Sequence, residues 1–228
     1  MNTANAVPAI DFSARETFRI RFTHRTEYAY TGPVKFQRHR LVLRPRESHF
    51  ERLERFEIKT TPPSEMHWSQ DVFGNILAHA EFSERADALT IESDFVIAKV
   101  PPAALAEPSP SPGSVEYPVH YAGIEEAAVA LYRSSVYPPE VETVRRWVSS
   151  LNIVPPAGGR GPIFEEVAQA IHHHIRYERR EEPGVQSPSE TLEKRVGSCR
   201  DAALLLMEAV RSLGYAARFV SGYMESEN

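Results

Sequence analysis

Cysteine is nearly missing from this 228-residue sequence: Cys199 is the only one. A single thiol excludes an intrachain disulfide framework and suits a reducing compartment better than an oxidising one, so a cytoplasmic protein is expected. Long apolar runs are also missing. No stretch approaches the ~20 apolar residues that a spanning helix requires, and the first thirty residues lack the apolar core of a signal peptide. Basic excess is absent as well. With 26 Lys and Arg against 31 Asp and Glu, the formal net charge is -5, which points to neither nucleic acid nor an anionic membrane as partner. No Cys or His pair has the spacing typical of zinc sites, and neither a metal nor a cofactor is expected. Finally, all nine histidines lie upstream of Cys199.

What is present divides the chain by hydrophobic period. From Thr17 to Ala98 the pattern alternates: Phe18, Ile20 and Phe22 around Arg19 and Arg21, Phe56 and Ile58 around Glu57, and Leu89, Ile91, Phe95 and Ile97 in one parity with Ser93. Alternation puts one row of side chains on each face of a strand. Turn signals at Thr31-Gly32-Pro33, Arg44-Pro45, Thr61-Pro62-Pro63 and Phe73-Gly74-Asn75 separate these runs, predicting an antiparallel β-domain over residues 17–100 behind a flexible N-terminus of residues 1–16. Residues 101–118 hold Pro101, Pro102, Pro108, Pro110, Pro112 and Pro118 among serines. Proline fixes φ and removes a donor, so this segment reads as an extended linker outside any sheet or helix.

Residues 119–228 follow a helical period. Ile124 to Tyr132 reads as one helix, and Val141, Val144, Val148 and Leu151 mark a second behind Pro138-Pro139. Ile163, Val167, Ile171 and Ile175 form the stripe of a third. Ser189 is the expected N-cap of a short helix carrying Leu192. A strongly apolar helix then begins at Cys199 and ends at Gly214, a C′ residue able to take positive φ. Tyr215 to Tyr223 alternates again and reads as a strand.

Two readings of Cys199 stand side by side. A lone cysteine is often an inert core thiol. Here it follows Gly197-Ser198, precedes Arg200-Asp201 and heads a buried helix, where unsatisfied N–H groups and the helix dipole favour a thiolate and could stabilise an oxyanion. His172-His173-His174 offers no obvious base, because successive residues on a helix point ~100° apart. His24 and His39 lie in the β-region. Trp68 and Asp71 to Asn75 read as a strand residue and a hairpin turn.

The run Gly197-Ser198-Cys199-Arg200-Asp201-Ala202-Ala203-Leu204-Leu205, followed by Arg211-Ser212-Leu213-Gly214-Tyr215 to Tyr223, resembles the cysteine motif of bacterial transglutaminase-like proteins, a family with members described as cysteine proteases. Tyr28 to Val34, His39-Arg40-Leu41, Leu43-Arg44-Pro45-Arg46 and Trp68 to Asn75 resemble the β-rich region that precedes that core. The resemblance implies an α+β chain: an N-terminal antiparallel β-domain followed by an incomplete papain-like (transglutaminase-like) core, with acyl transfer or amide hydrolysis through a Cys199 thioester. It implies a protein or peptide amide as substrate. In that family a histidine and an aspartate follow the cysteine on later strands, and the sequence reaches Asn228 without them. The expectation is therefore an N-terminal, truncated portion of a cysteine enzyme, inactive alone and prone to self-association through an unpaired sheet edge, with Cys199 as its only assigned catalytic position. The alternative is a catalytically silent binding or assembly module.

Overall fold

A computed structural model describes residues 17–48, 50–99, 115–153, 159–180 and 184–223. The expected flexible terminus, residues 1–16, and most of the Pro/Ser linker lie outside the described residues. The chain divides into two compact units, Met1–Pro108 and Ser109–Asn228.

The first unit is the predicted antiparallel β-domain, built as two three-stranded sheets. Strands β1 (Phe18–Lys35), β2 (His39–Leu41), β3 (Glu51–Thr61), β4 (Glu65–Gln70), β5 (Ile76–Glu81) and β6 (Arg85–Lys99) assemble in the orders β1-β6-β3 and β2-β5-β4. Along β6 the odd-numbered Leu89, Ser93 and Phe95 are fully buried and Ile91 nearly so, and Ala98 of the other row is fully buried as well. Across the sheet, Phe22 and Phe56 stand directly opposite Phe95, with the Phe22 and Phe95 rings stacked 5.0 Å apart. Such cross-strand aromatic pairs contribute about 0.5–1.5 kcal/mol beyond their area. Leu89 and Ile91 join Phe36, Ala80 and Phe82 in the core, against which Leu41, Ile58 and Met66 pack.

The Thr31-Gly32-Pro33 signal does not end a strand. β1 runs through it, and Tyr30 to Pro33 stand opposite Asp87 in an irregularity between the pairs Ala29↔Ala88 and Val34↔Ala86. Proline is tolerated at such a bulge because its missing N–H is not needed by the ladder there. The expected Gly74 turn is present: Gly74 has φ +76, and Asp71 Oδ1 accepts from the N–H groups of Phe73 and Asn75.

The second unit begins with a departure from the linker reading, because Val115–Tyr117 forms β7 and pairs antiparallel with β8 (Gly159–Gly161). Pro118 follows β7 without entering it, so the strand's own N–H groups remain available. Helices α1 (Ile124–Arg133), α2 (Val141–Ser150), α3 (Ile163–His174), α4 (Pro188–Lys194) and α5 (Cys199–Ser212) follow, with β9 (Arg176–Tyr177) and β10 (Val196–Gly197) pairing in parallel. The Ile163, Val167, Ile171 and Ile175 stripe is buried as its spacing predicts, against Val144 and Val148 of α2 and Leu205, Ala209 and Val210 of α5. Fully burying each such side chain contributes about 1.5–3 kcal/mol.

Two boundaries differ from the sequence reading. The N-cap of α4 is Ser187, not Ser189: its hydroxyl accepts from Glu190 N–H at 3.3 Å, while Ser189 N–H donates to Glu140. Pro188 explains the choice, since proline suits the first helical position. Tyr215 to Tyr223 forms no strand among the described residues. Its polar backbone is held otherwise: Tyr215 N–H closes the end of α5 on Val210, Ala216 N–H donates to the Tyr121 hydroxyl, and Ala217 N–H donates to Tyr132 O. Arg211 occupies the Ala217 carbonyl.

Candidate active site

Position 199 is fixed by a short series of backbone constraints. Arg195 ends α4 in the left-handed region, φ 54, which turns the chain into β10. There Arg176 N–H donates to Arg195 O and Glu178 N–H to Gly197 O, each at 2.9 Å. Ser198 is extended and caps α5, and Cys199 is the first residue of that helix. The helix then buries Asp201, Leu204 and Leu205. Cys199 itself is exposed, so the inert core thiol is not what the fold builds.

The polar anchor of this turn is Asp201, whose side chain is completely buried. Its Oδ2 accepts from Ser198 N–H at 2.7 Å and from the Ser198 hydroxyl at 2.8 Å. Oδ1 accepts from Gln186 N–H at 2.8 Å, and Arg180 Nη1 reaches both oxygens at 3.1 and 3.2 Å. Burial pushes the Asp201 carboxyl upward, but hydrogen bonds from Ser198, Gln186 and Arg180 outweigh it and hold the group below the ordinary carboxylate range. The carboxylate therefore ties three segments together: the loop after β9, the entry to α4 and the start of α5. The family resemblance implies a structural aspartate beside the cysteine, which is the part Asp201 plays here. The pattern Ser198-x-x-Asp201 before an apolar run was the available signal, since it matches a capping box.

Beside this turn lies a mainly apolar cavity of about 270 Å³ between α3 and α5. Ile171, His172 and Ile175 line one side, Ala202 and Leu206 the other, with Tyr177 and Ser198 at its margin. Of the histidine run, only His172 reaches this cavity; His173 and His174 each place Nδ1 on a backbone oxygen one turn earlier, Gln169 and Ala170. Among the described residues, no histidine hydrogen-bonds to the Cys199 thiol, and no group of His, Cys, Asp and Glu is arranged to hold a metal. His24 and His39 belong to the first unit, where His24 faces Thr26 and His39 bonds Gln37 O. Trp68 lies on β4 with its ring edge-to-face on Phe56, and Asp71 is occupied by its own turn.

Farther along α5, Glu208 and Arg211 form a second buried pair at 3.1 Å. Glu208 accepts from the Ser135 hydroxyl, and Arg211 donates to Ser134 O and Ala217 O. This network braces the end of the helix that carries Cys199 at its start. No helix among the described residues is long and apolar enough to cross a membrane.

Two family models match the sequence: the bacterial transglutaminase-like N-terminal region over residues 20–98 and the transglutaminase-like superfamily core over residues 160–228. Uncharacterized proteins of Mycobacterium bovis and Mycobacterium tuberculosis are 29% identical over 218 residues, covering 92% of this chain and 67% of theirs. A crystal structure described as "a Putative Cysteine Protease from Cytophaga hutchinsonii" shares the fold, with a TM-score of 0.61, 10% identity, and coverage of 88% of this chain and 67% of the other.

Proposed function

We propose that this chain, which joins a bacterial transglutaminase-like N-terminal region to a transglutaminase-like core, is the cysteine-bearing portion of an enzyme that acts on amides through a Cys199 thioester. One observation supports the reading above the others: the only thiol is exposed on the first turn of a helix that buries Asp201, Leu204 and Leu205 just beyond it. A thiol kept for packing would be on the inward side with Asp201 and Leu205. Free backbone N–H groups at a helix start favour a thiolate and can donate to an oxyanion.

The step balances as an acyl transfer. Cys199 Sγ attacks the amide carbonyl, an S–C bond forms, the C–N bond breaks, and the thiol proton is delivered to the departing amine. Water then hydrolyses the thioester to a carboxylate, or an amine takes the acyl group; either regenerates the thiol. The substrate class is a protein or peptide amide. A histidine partner for the thiol is not found among the described residues, so the chain by itself is proposed to be inactive toward an amide, while Cys199 still reacts with a strong electrophile. A free exposed thiol also favours a reducing, cytoplasmic setting.

The test is substitution of Cys199 by Ala in the longest version of the protein that hydrolyses or transfers a peptide amide. Complete loss of turnover, with loss of a mass-detectable acyl adduct, supports the thioester. Activity that survives Cys199→Ala would rule it out.

A further inference from the structure

Asp201 presents an electrostatic problem that the fold has to solve. A carboxylate two residues from a nucleophilic thiol opposes thiolate formation by like-charge repulsion, and burial strengthens that repulsion by removing water. Arg180 meets Asp201 at 3.1 Å, with the arginine side chain 20% exposed and the aspartate side chain 0%. Residues two apart on a helix do not face each other. Burial accordingly puts the carboxylate inward and the thiol outward, with the guanidinium bound to the carboxylate.

We propose that Asp201 and Arg180 are a charge-neutral positioning pair for Cys199. Asp201 fixes the Ser198 turn that presents the thiol, and Arg180 cancels the carboxylate charge that would otherwise suppress the thiolate. The inference rests on the nucleophile reading of Cys199 and adds a control on its reactivity. Arg180 follows β9, so a side chain outside α5 tunes the reactivity of a residue at the start of that helix. Arg180 also acts on Glu190, whose carboxyl it helps to hold below the ordinary range after the larger effect of Lys194. Arg200 is exposed beside Cys199, His172 and Tyr177 border the cavity, Glu178 pairs with Arg176, and Glu190 pairs with Lys194.

The experiment measures the pH midpoint of Cys199 alkylation by iodoacetamide in the full chain, with circular dichroism to verify folding. Arg180→Gln removes the cancelling charge and is expected to raise the midpoint by roughly 0.5 pH unit or more. Arg180→Lys keeps the charge and is expected to leave it near that of the unaltered chain. Asp201→Asn removes the carboxylate and is expected to lower the midpoint. Should Asp201→Asn fail to fold, the contrast between Gln and Lys at position 180 decides alone. A purely structural role moves reactivity without this sign pattern. An unmoved or lowered midpoint in Arg180→Gln, or an equal shift in Arg180→Lys, overturns the pair. These outcomes are separable from failure of the nucleophile reading, which would show as a native thiol no more reactive than the unfolded one.

Discussion

Gly197 and Asp201 are packed so closely that a Cβ added at position 197 would stand 3.0 Å from the Asp201 Cβ and 3.4 Å from its Oδ2. Glycine is needed at 197 for close approach, and the contact brings the buried carboxylate under the turn that presents Cys199. Sequence, turn geometry and reactive position meet at this contact.

Gly197→Ala is predicted to destabilise the second unit by about 1–3 kcal/mol, because either the Asp201 side chain or the turn must shift. Urea unfolding of the two chains side by side checks this. The same substitution should slow Cys199 alkylation, since displacement of Asp201 loosens the Ser198 cap.

Asp201 predicts acid sensitivity of a definite sign. Its folded carboxyl titrates below the ordinary range, so its contribution to stability is complete above the unfolded value of about 3.9 and is lost as pH falls through the lower folded value. Asp201→Ala is expected to cost about 3–5 kcal/mol at pH 7, since it removes the acceptor of two buried N–H donors and one charged partner of Arg180. Thermal unfolding from pH 7 to pH 3 should therefore show a steeper acid decline in the unaltered chain than in the variant.

Glu208→Ala is predicted to destabilise α5 from its other end by about 3–5 kcal/mol, because Arg211 is 7% exposed and would be left as a buried cation without its carboxylate. Replacement by Gln keeps the shape and an acceptor oxygen, and should cost less. A melting series of the two variants measures the difference.

Much of the architecture was legible from period and punctuation. Alternation around Phe18 to Phe22 and Leu89 to Ile97 located strands, and the Ile163 to Ile175 stripe located a helix, because both patterns report which side chains must leave water. The start of α5 was legible from Cys199 and its neighbours. Pro33 misled, because a bulge tolerates proline as readily as a turn does. Tyr215 to Tyr223 misled because alternation signals an extended chain and not a strand partner; here Tyr121, Tyr132 and Arg211 take the backbone groups of Ala216 and Ala217. Arg180 was invisible as a site residue, since its distance from Asp201 in sequence gives no hint of the ion pair.

Alkylation of Cys199 by iodoacetamide at pH 7, in the native chain and in the same chain unfolded in urea, tests the central claim most directly. The thiol displaces iodide to form a thioether detectable by mass. A nucleophile presented beside the free N–H groups of a helix start should react roughly fivefold faster or more in the native chain. Equal or slower reaction in the native state would contradict a built nucleophile at position 199.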